Sequence, residues 1–282
     1  MSQVDHSKML RNVSIASVVG ATIEWYDFFL YGVVAGIVFN KLYFPSTDPL
    51  VSTMLAYATF AVGFLARPVG GVIFGHFGDK IGRKAMLVLT MIIMGGSTVA
   101  IGLVPTYESI GIWAPVCLLI LRVLQGIGLG GEWGGAVLMT FEFAPKEKRG
   151  LYASLPQIGL SIGLCLASGV VGVLSATLTD AQFLAYGWRI AFILSVVLLF
   201  VGTWIRMNVM ETPEFQNVKK ENAAVKVPFF EMWRTSTGNI MAGMGARYID
   251  GVFFNVFGVF SITYLTQTLK ISRTDALLGV MV

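Results

Sequence analysis

The stretch VSIASVVGATIEWYDFFLYGVVAGIV, residues 13–38, decides the fold class. A helix needs about 20 mostly apolar residues to cross the hydrocarbon core of a membrane, and this stretch is longer than that. Its charged side chains are Glu24 and Asp27 alone. The run is too long for the apolar core of a cleavable signal peptide, so it predicts a membrane-spanning α-helix.

Similar apolar runs follow along the rest of the chain. Of all residues 55% are hydrophobic and 13% are charged, whereas soluble domains carry about 25% charged residues. The sequence therefore predicts an all-α membrane protein. The further runs lie at about 52–76, 86–104, 112–142, 151–178, 189–208 and 238–265, with another that begins near 274.

Basic residues concentrate in alternate connections between these runs. Because membrane proteins keep such connections in the cytoplasm, we predict a cytoplasmic N-terminus in a multi-pass plasma-membrane protein, which is the inner membrane if the source is bacterial. The residues in question are Lys8, Arg11, Lys80, Arg83, Lys84, Lys146, Lys148, Arg149, Arg206, Lys219, Lys220, Lys226 and Arg234.

The longest polar stretch, residues 209–236, divides the chain. It predicts an N-terminal six-helix transmembrane bundle over 1–208, a cytoplasmic connecting loop over 209–236 and the start of a second bundle over 237–282. The chain ends inside an apolar run, so we expect a truncated product in which the second bundle has only its seventh helix and the beginning of an eighth.

Glu24 and Asp27 are candidate proton-coupling or substrate-binding residues. A charged side chain at a helix centre costs about 2.5–3.5 kcal/mol on insertion scales and usually marks a solute or proton pathway. The two acids are three residues apart and share a helix face, and two close carboxylates do not both ionise readily. Either one could carry a proton; the alternative is a static pair with an arginine.

The fourth run contains RVLQGIGLGGEWGG, residues 122–135, with two more charges. Arg122 could neutralise a substrate carboxylate or an acid such as Asp27. Glu132 could be a second relay acid or one half of a gate pair, and the sequence leaves both open. The glycines at spacings of four form a stripe that lets another helix approach; they are Gly126, Gly130 and Gly134.

The seventh run carries Arg247 and Asp250, again three residues apart. If two bundles are related by a twofold axis along the membrane normal, they correspond in position to Glu24 and Asp27. An internal salt bridge is the alternative. Arg67 precedes Pro68, and we expect it to be structural.

The string GHFGDKIGRKAML, residues 75–87, is the most specific connection. It matches the signature of the loop between helices two and three in the major facilitator superfamily. The resemblance implies a gating loop that contains Gly75, Asp79, Gly82, Arg83 and Lys84.

Within that superfamily the chain resembles the metabolite:proton symporter family. That resemblance implies two bundles of six helices and uptake of organic acids such as shikimate or 2-oxoglutarate, or of zwitterions such as proline and betaine, by alternating access. It rests on Arg122, Gln125 and Gly126 and on the strings EWYDFFLYG (24–32), LARPVGGVIFGHFGD (65–79), GGEWGGA (130–136), GWRIAF (187–192) and RMNVMETPEF (206–215).

Other function classes lack support in the sequence. A membrane enzyme would need a nucleophile elbow or a metal motif, and an ATP-driven pump would need a phosphate-binding loop; neither is present. We expect no cofactor and no metal, because Cys117 and Cys165 stand alone in apolar runs. The expected partners are a small-molecule substrate, protons and the lipid bilayer, with no nucleic acid, for a monomer. A truncated inactive remnant or a non-transporting sensor remains the alternative.

Overall fold

The computed structural model describes residues 3–46, 48–207 and 228–281. Within those ranges the side chains of residues 3–8, 79, 80, 83, 133, 228–232, 247, 250 and 281 are not described. The described part is helical, with main helices α1 Gln3–Val34, α2 Pro49–Ile81, α3 Arg83–Leu103, α4 Trp113–Phe143, α5 Arg149–Thr177, α6 Trp188–Met207, α7 Pro228–Phe253 and α8 Arg273–Met281.

Three of these helices are extended by π-helical segments, which also occur at functional sites in other proteins. The π-helical segments are Ala35–Phe39 after α1, Phe183–Gly187 before α6, and Phe254–Phe260 and Tyr264–Thr268 after α7. Single α-helical turns accompany them at Asn40–Leu42, Asp180–Gln182 and Ser261–Thr263. One-turn helices at Tyr107–Ile110 and Lys146–Lys148 occupy two of the connections.

The predicted spans are confirmed. Seven helical segments of the described part are long and apolar enough to cross a membrane, and each contains most or all of one predicted run. A helix also begins at Arg273, where an eighth run was predicted. The predicted fold class, an all-α membrane bundle, is therefore correct.

Local sequence explains where α2 begins and ends. The Asp48 carboxylate accepts a hydrogen bond from the Leu50 amide at 2.8 Å, and Pro49 occupies the first turn; both features favour a helix start. At the other end Gly82 has φ 122°, a conformation that favours glycine. The connection to α3 is thereby reduced to a single residue.

Helix α1 lies at the centre of the bundle. Of an apolar 18-residue stretch within its spanning segment, 94% is buried, against 28% of the equivalent stretch within Asp180–Met207. It packs most extensively against α5, where a Cβ atom on Gly163 would lie 2.7 Å from the Tyr26 nitrogen. The small residues of α5 thus let two backbones meet, which is how membrane helices associate without a hydrophobic driving force.

Helices α2 and α4 also meet through glycines. A Cβ atom on Gly126 would collide with the Gly63 carbonyl, and one on Gly130 would collide with the Arg67 carbonyl. The predicted glycine stripe is therefore confirmed at these two positions. It is wrong at Gly134, where a Cβ atom would have no neighbour within 4 Å among the described residues and where the helices diverge around a cavity of about 350 Å³.

Two ends of the bundle can be distinguished. The basic end holds the turns with Lys84 and Lys148, and the opposite end holds Tyr43, Val104 and Arg189. At the opposite end the Arg189 guanidinium donates to the carbonyls of Gly102 and Val104 at 2.7 and 2.8 Å. A basic side chain there satisfies carbonyls that the end of α3 leaves open.

Helix α7 begins at Pro228, within the predicted connecting loop 209–236, most of which lies outside the described residues. Ser236 has non-helical angles inside it, φ −132° and ψ 26°. The break coincides with the predicted end of that loop, and the apolar part of the helix follows it.

Candidate functional site

Asp27 lies inside the bundle on α1, near the middle of the spanning segment Met9–Leu42, with no exposed surface. One carboxylate oxygen, Oδ1, accepts a hydrogen bond from the Ser195 hydroxyl of α6 at 2.7 Å. The other, Oδ2, has no hydrogen-bond partner within the described part of the chain. Asp27 is thus a buried acid whose described hydrogen-bond partner is a neutral group.

Arg122 of α4 is also fully buried. Its guanidinium carbon lies 4.3, 4.5 and 4.7 Å from the ring centres of Phe28, Tyr31 and Phe60, so aromatic faces surround the charge. Cation–π contacts of this kind are stronger when the cation is removed from water. Nε and Nη2 have no hydrogen-bond partner among the described residues.

Gln125 stands between Arg122 and Asp27. Its side-chain oxygen accepts from Arg122 Nη1 at 2.5 Å, and its nitrogen donates to the Thr98 hydroxyl at 2.8 Å and to the Asp27 main-chain oxygen at 3.5 Å. A direct contact between Arg122 and the Asp27 carboxylate, which the sequence suggested as one possibility, is not formed, because the amide of Gln125 takes the place between them.

Glu132 forms a buried ion pair with Arg206 near the basic end. Arg206 Nη1 also donates to the Leu87 carbonyl of α3 at 3.0 Å, and its guanidinium lies against Gly20 of α1. Thr90 donates weakly to Glu132 at 3.5 Å. Of the two roles left open for Glu132, this geometry favours the paired one.

Contrary to the prediction from its sequence position, Arg206 is not one of the basic residues of a connection. It lies in the last turn of α6 and is 6% exposed. Its neighbourhood in sequence, polar and close to a long loop, resembles that of a loop residue. Only the packing of α6 against three other helices reveals that it is internal.

Glu24 is fully buried on α1, one turn before Asp27. Arg67 is half-buried on α2, which continues as a helix through Pro68. Its guanidinium carbon lies 5.3 Å from the ring centre of Trp25 and 5.8 Å from that of Phe64. Arg67 therefore also packs its charge against aromatic rings, beside the α1 segment that carries both acids.

The predicted gating loop is a tight turn, because α2 reaches Ile81 and α3 begins at Arg83. Gly82 makes the turn, and Gly75 faces the cavity of about 350 Å³. The Lys84 ammonium donates to the Met207 carbonyl of α6 at 2.5 Å. The side chains of Asp79 and Arg83 lie outside the described residues.

Arg247 and Asp250 are placed on α7 by the backbone, while their side chains lie outside the described residues. Around them a cavity of about 860 Å³ lies beside α7. Its lining includes Phe64 of α2, Met244 and Tyr248 of α7, and Asn255 of the π-helical segment that follows α7.

At the opposite end the first bundle and the α7 segment are joined. Tyr57 and Thr263 share a hydrogen bond of 2.6 Å, and the Gln267 side chain donates to the Gly36 carbonyl at 2.9 Å. Arg273 at the start of α8 pairs with Asp180 at 3.0 Å. The hydrogen bonds and the ion pair that join the α7 and α8 segments to the first bundle therefore lie at the opposite end.

Sequence reasoning assigned no role to Ser195 and did not place Arg206 in the site. Ser195 is an isolated polar residue in an apolar helix, and such a residue could have been flagged. The acid that Ser195 contacts depends on how α1 and α6 cross. Neither segment alone predicts that crossing.

Comparison with known proteins agrees with this geometry. A family profile described as "Sugar (and other) transporter" matches residues 13–242. The shikimate transporter of Escherichia coli (strain K12) is 43% identical over 265 residues, which are 93% of this chain and 60% of that protein. The proline/betaine transporter of the same strain is 37% identical over 284 residues, 98% of this chain and 56% of that protein. The chain thus spans less than two thirds of the length of these curated relatives.

A solved structure shares the architecture. The crystal structure of a D-xylose-proton symporter superposes with a TM-score of 0.69 at 20% sequence identity, covering 97% of this chain and 65% of that one. At this identity the likeness concerns the fold.

Proposed function

The chain belongs to the Sugar (and other) transporter family of the major facilitator superfamily, as a relative of its metabolite:proton symporters, and we propose that the protein containing it takes up a small polar metabolite together with protons. Its substrate class is an organic acid or a zwitterion. Two relatives are named as transporters of shikimate and of proline and betaine, which supports a carboxylate-bearing substrate.

The observation that carries the proposal is the setting of Asp27. A carboxyl group that hydrogen-bonds a hydroxyl can exist with or without its proton, because the hydroxyl can donate to the ionised form and accept from the neutral form. Asp27 also sits on the most deeply buried helix of the bundle. In our proposal it binds the transported proton, and loss of its charge lets the loaded carrier reorient.

The proposed substrate site lies between the first bundle and α7. Arg122 and Arg247 would hold an anionic group, with Glu24 and Asp250 as further acids. The pair Arg247 and Asp250 would correspond in position to the pair Glu24 and Asp27. The turn with Gly75, Asp79, Gly82, Arg83 and Lys84 would gate the basic end. The aromatic surroundings of Arg122 and its two unsatisfied nitrogens support its role as a cation held for a ligand.

The family match supports transport by alternating access, as do the hydrogen bonds that join α7 to the first bundle at the opposite end. In this mechanism the first bundle (1–208) rocks against the second (237 onward) about the connection 209–236. We place the basic end and the N-terminus in the cytoplasm, in the inner membrane of a bacterial cell, because positive connections stay inside. We propose that the protein works as a single subunit without a catalytic step.

Uptake assays on the complete gene product that contains this chain test the proposal. Cells expressing it are given radiolabelled carboxylates, betaines and sugars at an external pH of about 5.5 and about 7.5, with empty-vector cells as the control. We expect accumulation of one carboxylate-bearing solute, faster at the lower pH and abolished by a protonophore. Accumulation that ignores both pH and protonophore would contradict proton coupling.

A further inference from the structure

Helix α6 carries the hydrogen-bonding partner of each of two buried acids. Ser195 meets Asp27 of α1, and Arg206 meets Glu132 of α4. The two α6 residues are separated by about three helical turns, so both project from one side of the helix. The sequence predicts neither of them as a site residue. Ser195 is a neutral hydroxyl and Arg206 is a cation, so the two acids have partners of different charge.

At Asp27 the partner is neutral. The Ser195 hydroxyl is buried with the carboxylate and lies 2.7 Å from Oδ1, and the nearby Gln125 amide contacts the Asp27 main chain rather than its side chain. Among the described residues, the Asp27 carboxylate forms no ion pair with a cation. Its protonation therefore leaves no buried cation without a counter-ion. The surroundings therefore accommodate both protonation states.

At Glu132 the partner is a permanent cation. Among the described residues, the groups that contact this pair are Gly20 of α1 and Thr90 and the Leu87 carbonyl of α3, and Lys84 lines the same small cavity as Arg206 of α6. A proton on Glu132 would leave the Arg206 guanidinium buried without a counter-ion, which is strongly unfavourable. The pair also fastens four helices at the basic end.

We infer that Ser195 and Arg206 are positioning residues that give the two acids different roles. Ser195 positions Asp27 as the carboxyl group that binds and releases the proton. Arg206 keeps Glu132 permanently ionised, so that Glu132 lies outside the proton path. This inference rests on the proposed function. It selects the paired role for Glu132 over the relay role.

A double-mutant cycle at the ion pair tests the assignment of Glu132. Single substitutions Glu132→Gln and Arg206→Gln each leave one buried charge alone, and we expect each to lower proton-driven uptake at least tenfold. The double variant Glu132→Gln with Arg206→Gln leaves no orphaned charge, and we expect uptake at least fivefold above that of either single variant. A relay acid would give the opposite result, a double variant as inactive as Glu132→Gln alone.

Control measurements distinguish a variant that does not fold from a folded variant that contradicts the inference. Each variant is checked for membrane level and for a monodisperse elution profile in detergent. Arg206→Lys keeps the charge and should retain more uptake than Arg206→Gln. If the double variant unfolds, the charge swap Glu132→Arg with Arg206→Glu replaces it, and recovery above the single variants is again the expected result; no recovery in a folded swap overturns the inference.

Ser195 is tested by separating proton-driven uptake from exchange. For Ser195→Ala we expect at least a fivefold loss of uptake driven by a pH gradient, with substrate exchange at equal pH within about twofold of the parent, and Ser195→Thr should restore uptake. Equal losses in both assays would show a general packing role and overturn the assignment. If Asp27→Asn leaves gradient-driven uptake intact, the proposed function itself fails, whatever the α6 variants do.

Discussion

The interior of the first bundle and its interface with α7 are built differently. In the interior, backbones meet through glycines such as Gly126 and Gly163, and charged groups are enclosed among several helices. At the α7 interface the hydrogen bonds lie at the opposite end, where the buried side chains of Val259 and Ile262 also pack. We propose that the interior stays fixed and that this interface moves, as alternating access would require.

The largest expected effect comes from Arg122, whose charge the interior encloses without a carboxylate contact among the described residues. Arg122→Met should lower uptake at least a hundredfold, because the cation proposed to hold an anionic substrate is gone. Thermal stability in detergent should not fall, since an apolar side chain replaces a buried charge at little cost. Arg122→Lys keeps the charge and should lose less. A parallel fall of uptake and stability would instead make Arg122 a purely structural residue.

A second, smaller effect tests whether the interior is fixed by close helix contact. Gly126→Ala should destabilise the protein by about 1–3 kcal/mol, because its Cβ collides with the Gly63 carbonyl of α2. Gly134→Ala, on the same helix, is the matched control and should be neutral or stabilising by about 0.5–1 kcal/mol. Melting temperatures in detergent measure both. Equal changes in melting temperature for the two variants would contradict the claim that α4 is in close helix contact at Gly126 and not at Gly134.

The smallest effect is expected at the movable interface. Tyr57→Phe removes the hydrogen bond to Thr263 and should shift the balance between the two open states by about 0.5–1.5 kcal/mol, the usual net value of such a bond. Cysteine labelling from either side of the membrane reports that balance, with labelling from the Tyr57 side expected to rise. Tyr31→Phe, which loses a bond to Thr59 inside the first bundle, is the control. Unchanged labelling by Tyr57→Phe would argue that this bond does not hold the opposite end closed.

Much of this architecture could be predicted because membrane insertion is a property of single segments. Apolar length locates each helix, and charged residues within a run, such as Asp27 and Glu132, are costly enough to stand out. What could not be predicted are pairings across helices. Arg206 is the partner of Glu132, yet its position beside a polar stretch is also typical of a loop residue.

The glycines show the same limit. Spacing alone groups Gly126, Gly130 and Gly134, but α2 follows α4 only as far as Gly130 before the helices diverge. The predicted gating loop is shorter than its string of residues suggested, since Gly82 alone makes the turn. In each case the outcome depends on how neighbouring helices cross, which no single segment determines.

The claim that Asp27 carries the coupled proton is tested most directly by one measurement on Asp27→Asn. The complete gene product is reconstituted in proteoliposomes, and the accumulation of its substrate under an imposed pH gradient is compared with exchange at equal pH. We predict that accumulation is lost in Asp27→Asn while exchange persists, because a side chain that cannot ionise still lets the loaded carrier reorient. Accumulation equal to that of the parent protein would contradict the account.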